Sequence, residues 1–141
     1  VEPHIFAITL AVEDLDASVA FYRDGLGLPT AGIVGTEFPG SETEPAGRVA
    51  MFQLASDVTL SLYPAGELAK DAGVPGSYTS GHGFSLGHRV PSPRDVDRLL
   101  AAAQAAGATV VGRVGERPWG IYSGYFADPD GHLWEVVCFL P

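Results

Sequence analysis

The strongest constraint on the fold of this chain is an internal repeat. Residues 51–62, MFQLASDVTLSL, align without a gap on residues 125–136, YFADPDGHLWEV, which sets Phe52 on Phe126 and Ser61 on Glu135. The segments ahead of these two hairpins repeat as well. FAITLAV alternates apolar side chains at Phe6, Ile8, Leu10 and Val12, the period of a half-buried strand. A helix follows, capped by Asp14 and carrying Leu15, Val19 and Tyr22 at helical spacing until the glycines at 25 and 27 stop it. A weak strand over residues 30–34, an acidic loop holding Glu37, Glu42 and Glu44, and two strands in RVAMFQL and VTLSLYP, joined by a turn at residues 55–57, complete the first module.

The second half has the same order. GFSLGHRV alternates Phe84, Leu86, His88 and Val90, and Ser92, Pro93 and Asp95 open a helix that Gly107 ends. TVVGRV is a strand, and IYSGYFA and HLWEVVCF form a hairpin across DPDG, where Pro and Gly supply the turn. The expected fold class is therefore α+β, with two tandem βαβββ modules at 1–64 and 81–141. A linker at 65–80, with one helical turn at 67–72, joins them within a single domain of 141 residues. Each module has one sheet face covered by its helix and one bare, so two modules must bring their bare faces together or enclose something between them.

Composition narrows the partners. A hydrophobic fraction of 46% with 18% charged residues is too apolar for disorder, and no apolar run is long enough for a membrane span. A net charge of -9, with eight Lys and Arg scattered along the chain, argues against nucleic acid and for a neutral or cationic ligand. Cys138 has no second cysteine to pair with, and residues 1–10 lack the basic start and cleavage site of a signal peptide, so a cytoplasmic location is expected.

VEDLDASVAFYRDGLGL, PSPRDVDRLLAAAQAAGATVV and above all PWGIYSGYFADPDGHLWEVV resemble the vicinal oxygen chelate superfamily, which includes glyoxalase I, extradiol dioxygenases and the bleomycin-resistance proteins. That resemblance implies a cup-shaped mixed sheet with the helices outside, and a homodimer. In the metal-dependent members four ligands project into the cup, one from the first and one from the last strand of each module. Carried over, those positions are Ala7, Ser61, Ser85 and Glu135, with separations of 54 and 50 residues that link equivalent strands of each repeat. Zn, Fe or Mn require several imidazole or carboxylate donors, and here only Glu135 qualifies. The expectation is no metal and no other cofactor. The alternative is a divalent metal held by His4, His82 and Glu135, the two histidines preceding their strands at comparable places. His88 shares the helix-facing parity of its strand, and His132 follows the hairpin turn.

Glu135 shares its strand face with Leu133 and Val137, which the resemblance turns into the cup, where a carboxylate loses water and needs a donor or a positive partner. Arg89 lies on the same parity as Ser85 and Gly87. One account of Glu135 is an internal pair with Arg89, or hydrogen bonds to Ser61 and Ser85. The other is an anchor for a ligand's polar or cationic group, or a proton acceptor in catalysis. Ala7, Thr9, Ser61, Ser85 and Gly87 are small and leave room, while Tyr63, Trp119, Tyr122 and Tyr125 supply aromatic surface near the expected rim. This combination suits a small organic molecule, cationic or aromatic. The leading expectation is a metal-independent binding protein of the glyoxalase/bleomycin resistance type that sequesters such a ligand in a dimer cleft. The alternative is a metal-dependent lyase, isomerase or dioxygenase, and a third reading is a module whose cup only closes a dimer. No nucleophile–base pair is visible, since Cys138 points into the packing layer and has no histidine beside it.

Overall fold

Alternation at the start of the chain becomes strand β1 (Ala7–Val12), which buries Leu10 and Val12. The computed structural model describes residues 1–76 and 83–141, and the chain divides into two compact units, Val1–Thr79 and Ser80–Pro141. In the first unit the side chain of Asp14 accepts a hydrogen bond from the Ala17 N–H at 3.0 Å and opens helix α1 (Leu15–Val19). The helix continues as a π-helical turn over Ala20–Gly25, where the Leu26 N–H donates to the Phe21 carbonyl, and Gly27, at φ +77°, ends it. The wider turn carries Phe21 and Tyr22 inward, and Tyr22 lies 6.1 Å from the ring of Phe52.

Strands β2 (Ile33–Val34), β3 (Val49–Gln53) and β4 (Thr59–Pro64) complete a mixed sheet in the order β1-β4-β3-β2. Only β1 and β4 run parallel. Leu10, Ala50, Phe52, Leu60 and Leu62 form the core, and fully burying a side chain of Leu or Phe size stabilises by about 1.5–3 kcal/mol. The helical turn expected at 67–72 is a full helix, α2 (Ala65–Ala72), that ends on Gly73 in the left-handed region. It follows β4 without a break and belongs to the first unit.

The second unit repeats the order as β5 (Leu86–Arg89), α3 (Pro93–Ala105), β6 (Thr109–Arg117), β7 (Ile121–Ala127) and β8 (Leu133–Phe139), arranged β5-β8-β7-β6 with β5 parallel to β8. Ser92 caps α3 by accepting from the Asp95 N–H at 3.2 Å, with Pro93 in the first turn. Gly124 lets α3 approach β7, since a Cβ there would stand 2.6 Å from Leu100 Cδ1. The DPDG turn is held by Asp128, whose Oδ1 accepts from the N–H groups of Asp130 at 2.9 Å and His132 at 2.8 Å. Between Val111 and Gly115 the β6–β7 register shifts, and Arg113 and Arg117 donate to the carbonyls of Glu116, Gly115 and Arg113 around that bulge.

The repeat holds to single-residue register. Ser61 stands opposite Met51 and beside Thr9, while Glu135 stands opposite Tyr125 and beside Gly87. The buried rings of Phe52 and Phe126 also occupy matching places, opposite Leu60 and Trp134. Among the described residues no helix is long and apolar enough to cross a membrane.

Candidate functional site

In each sheet one face packs on its helix, so the alternate side chains are the ones free to meet a ligand. In the first unit these are Ala7 and Thr9 on β1, Val49 and Met51 on β3, and Ser61 and Tyr63 on β4. Thr9, Val49, Ser61 and Tyr63, joined by Gly47 and Asp71, line a depression of about 260 Å³. Three expected site residues, Thr9, Ser61 and Tyr63, are thus brought together. Ala7, half-buried, lies on the same strand face as Thr9.

The wall of this depression is tied in place by α2. Glu67 Oε2 accepts from the Ala46 N–H at 2.7 Å, and Lys70 Nζ donates to the Ser41 carbonyl at 2.9 Å and to Glu67 Oε1 at 3.1 Å. The Tyr63 hydroxyl donates to the Ala46 carbonyl, so its oxygen keeps a lone pair for a ligand. The donated Ala46 N–H, and then Lys70, hold the Glu67 carboxyl below its usual range. Burial, followed by the charges of Asp71 and Glu67, pushes the Tyr63 phenol up, so it stays protonated at neutral pH.

In the second unit Glu135 is half-buried on β8, directly opposite Tyr125 and adjacent to Gly87. The internal pair with Arg89 does not form. The Arg89 guanidinium lies instead over the ring of Phe139, 4.4 Å from its centroid. Ser85 precedes β5, and it is exposed with Gly87 and Arg89. Trp119 is 71% exposed in the turn between β6 and β7. Tyr122 is separated from this set. It shares the helix-side parity of Gly124 and Phe126, and its hydroxyl donates to Asp97 Oδ1 on α3 at 2.8 Å, a bond that pushes its own phenol up.

Of the four positions that the resemblance assigns to metal ligands, only Glu135 carries a side chain of the kind a divalent ion favours. Ala7 offers a methyl group and Ser61 and Ser85 offer neutral hydroxyls, against the several imidazole, thiolate or carboxylate ligands such ions require. Among the described residues no group of three His, Cys, Asp or Glu side chains is placed to hold an ion. Of the alternative set, His4 is exposed in the first unit, Glu135 belongs to the second, and His82 lies outside the described residues.

Asp71, Gly47 and Val49 were not expected in the site. Val49 shares the strand parity of Met51 and was available from the alternation, whereas Asp71 and Gly47 reach it through α2 and the loop bound to it.

The family model of the Glyoxalase/Bleomycin resistance protein/Dioxygenase superfamily matches residues 4–136. A glyoxalase-related enzyme from Fulvimarina pelagi is 29% identical, with a TM-score of 0.78 over 96% of this chain and 88% of that one. A glyoxalase/bleomycin resistance protein/dioxygenase from Nocardioides is 27% identical, with a TM-score of 0.74 over 99% of this chain and 85% of that one. The lactoylglutathione lyase of Agrobacterium tumefaciens is 26% identical, with a TM-score of 0.66 over 96% and 93%. No curated protein gives a significant match.

Proposed function

The chain belongs to the Glyoxalase/Bleomycin resistance protein/Dioxygenase superfamily, and from that premise we propose that it is a metal-independent binding protein that sequesters a small organic molecule. The observation that carries this reading is the depression on β1 and β4. At the sheet positions where the resemblance calls for chelating side chains, the first unit has Ala7 and Ser61, and it has a cavity of about 260 Å³ lined by hydroxyl, phenol and carboxylate groups. Such a mixture of apolar wall and a few oriented polar groups is what organic ligands use. In the second unit Glu135 and Tyr125 stand at the register that matches Ser61 and Met51.

The reading includes a homodimer, supported by exposed apolar side chains such as Phe6, Phe84 and Trp119, in the cytoplasm with neither nucleic acid nor membrane as partner, supported by the lone cysteine and the net charge of -9. Solvent extraction of the untagged protein followed by mass spectrometry tests it. The extract is expected to contain a stoichiometric organic molecule that is missing from Thr9→Phe, a substitution at an exposed strand position that fills the depression. An empty extract from wild type, or an unchanged one from Thr9→Phe, contradicts it.

A further inference from the structure

The polar side chains that line the depression are Thr9, Ser61, Tyr63 and Asp71, and each presents oxygen. Ser61 is nearly buried, Thr9 is exposed at the edge strand, and the Tyr63 hydroxyl has committed its proton to the Ala46 carbonyl. Asp71 brings a carboxylate to the same wall from the last turn of α2. Its neighbour Lys70 is engaged by Glu67 and by the Ser41 carbonyl, and among the described residues no ion pair neutralises Asp71.

We infer that Asp71 is a specificity-determining residue that makes this cavity select a compact organic ammonium group, with the Tyr63 ring and the Val49 side chain as its apolar walls. The inference rests on the binding reading above and names its ligand class. An ammonium group gains from the unneutralised carboxylate and from the π-face of a tyrosine, and it asks for no donor from the protein. An anionic ligand can accept from the Thr9 and Ser61 hydroxyls but is repelled by the Asp71 carboxylate on the same wall. The raised phenol of Tyr63 reports the same negative field, since Asp71 contributes to it after burial. Helix α2 acts as the mount: Glu67 and Lys70 tie it to residues 41 and 46, so Asp71 is held against the strands rather than left on a loose connection.

Nuclear magnetic resonance titrations with choline, its neutral isostere 3,3-dimethylbutan-1-ol, and 3,3-dimethylbutanoate test this on the full chain. Choline is expected to shift the resonances of Thr9, Ser61 and Tyr63 and to bind more tightly than the alcohol, with the acid weakest. Because Asp71 is exposed, a partly screened charge pair is worth a few-fold, so Asp71→Asn should weaken choline about threefold to fivefold and leave the alcohol unchanged. Asp71→Glu should retain the preference for choline, and an unchanged melting temperature for both variants confines the effect to the cavity. Equal binding of choline and the alcohol overturns cation selection while leaving a binding cavity in place. Choline affinity indifferent to Asp71→Asn overturns the role of this residue. Failure of all three probes to bind overturns the ammonium class together with the cavity as a ligand site.

Discussion

Glu135 has no Arg89 partner, because that guanidinium lies over Phe139. Replacing it with Gln is therefore expected to change the stability read by urea denaturation by no more than about 0.5 kcal/mol, the scatter of surface substitutions. A larger drop in stability would return Glu135 to a structural role. Glu67 makes a pH prediction. Its folded carboxyl titrates below the ordinary value of 4.5, so its hold on residue 46 is complete above that value and is lost as pH falls through the lower folded value. The Ala46 amide resonance should follow this titration in acid, and Glu67→Gln should abolish it. Ser61 and Glu135 were legible as a pair from the aligned hairpins, and the cavity residues Thr9 and Tyr63 from strand alternation. Asp71 was not. It enters the wall through a helix that the sequence presents as a connector, and the bond from Ala46 to Glu67 spans 21 residues with no periodic signature.

At the level of elements, β7 falls on residues 121–127 as its alternation dictates, and α3 begins and ends on its capping residues. Ser92→Ala should cost about 1 kcal/mol in urea denaturation through loss of the cap. Gly124→Ala should cost more, about 1–3 kcal/mol, because the added methyl group meets Leu100 and Val114 where α3 lies on β7. A neutral Gly124→Ala would mean that the close approach of α3 is not needed. The strand expected over residues 30–34 shrinks to Ile33–Val34 for a local reason. The Thr30 hydroxyl donates to the Met51 carbonyl at 2.6 Å and accepts from the Gly32 N–H at 3.1 Å, so side-chain bonds replace the ladder there. The π-helical turn after α1 was equally hidden, since its apolar spacing also fits an ordinary helix.

Over the whole molecule, the duplication explains why both sheets share one strand order and why the candidate residues fall at matching registers. Each sheet leaves two edges, and Ile5, Phe6, Phe84, Trp119 and Phe139 are exposed apolar side chains that a second copy would cover. Sedimentation equilibrium at micromolar concentration is expected to give a dimer, and a monomer throughout would remove the homodimer from the proposed function. The central claim is that a member of this superfamily has exchanged chelating side chains for room to bind an organic molecule. Elemental analysis of the untagged protein tests that claim most directly. It is expected to find Zn, Ni, Mn and Fe far below one atom per chain, whereas one tightly held ion per chain, lost on Glu135→Gln, would contradict it.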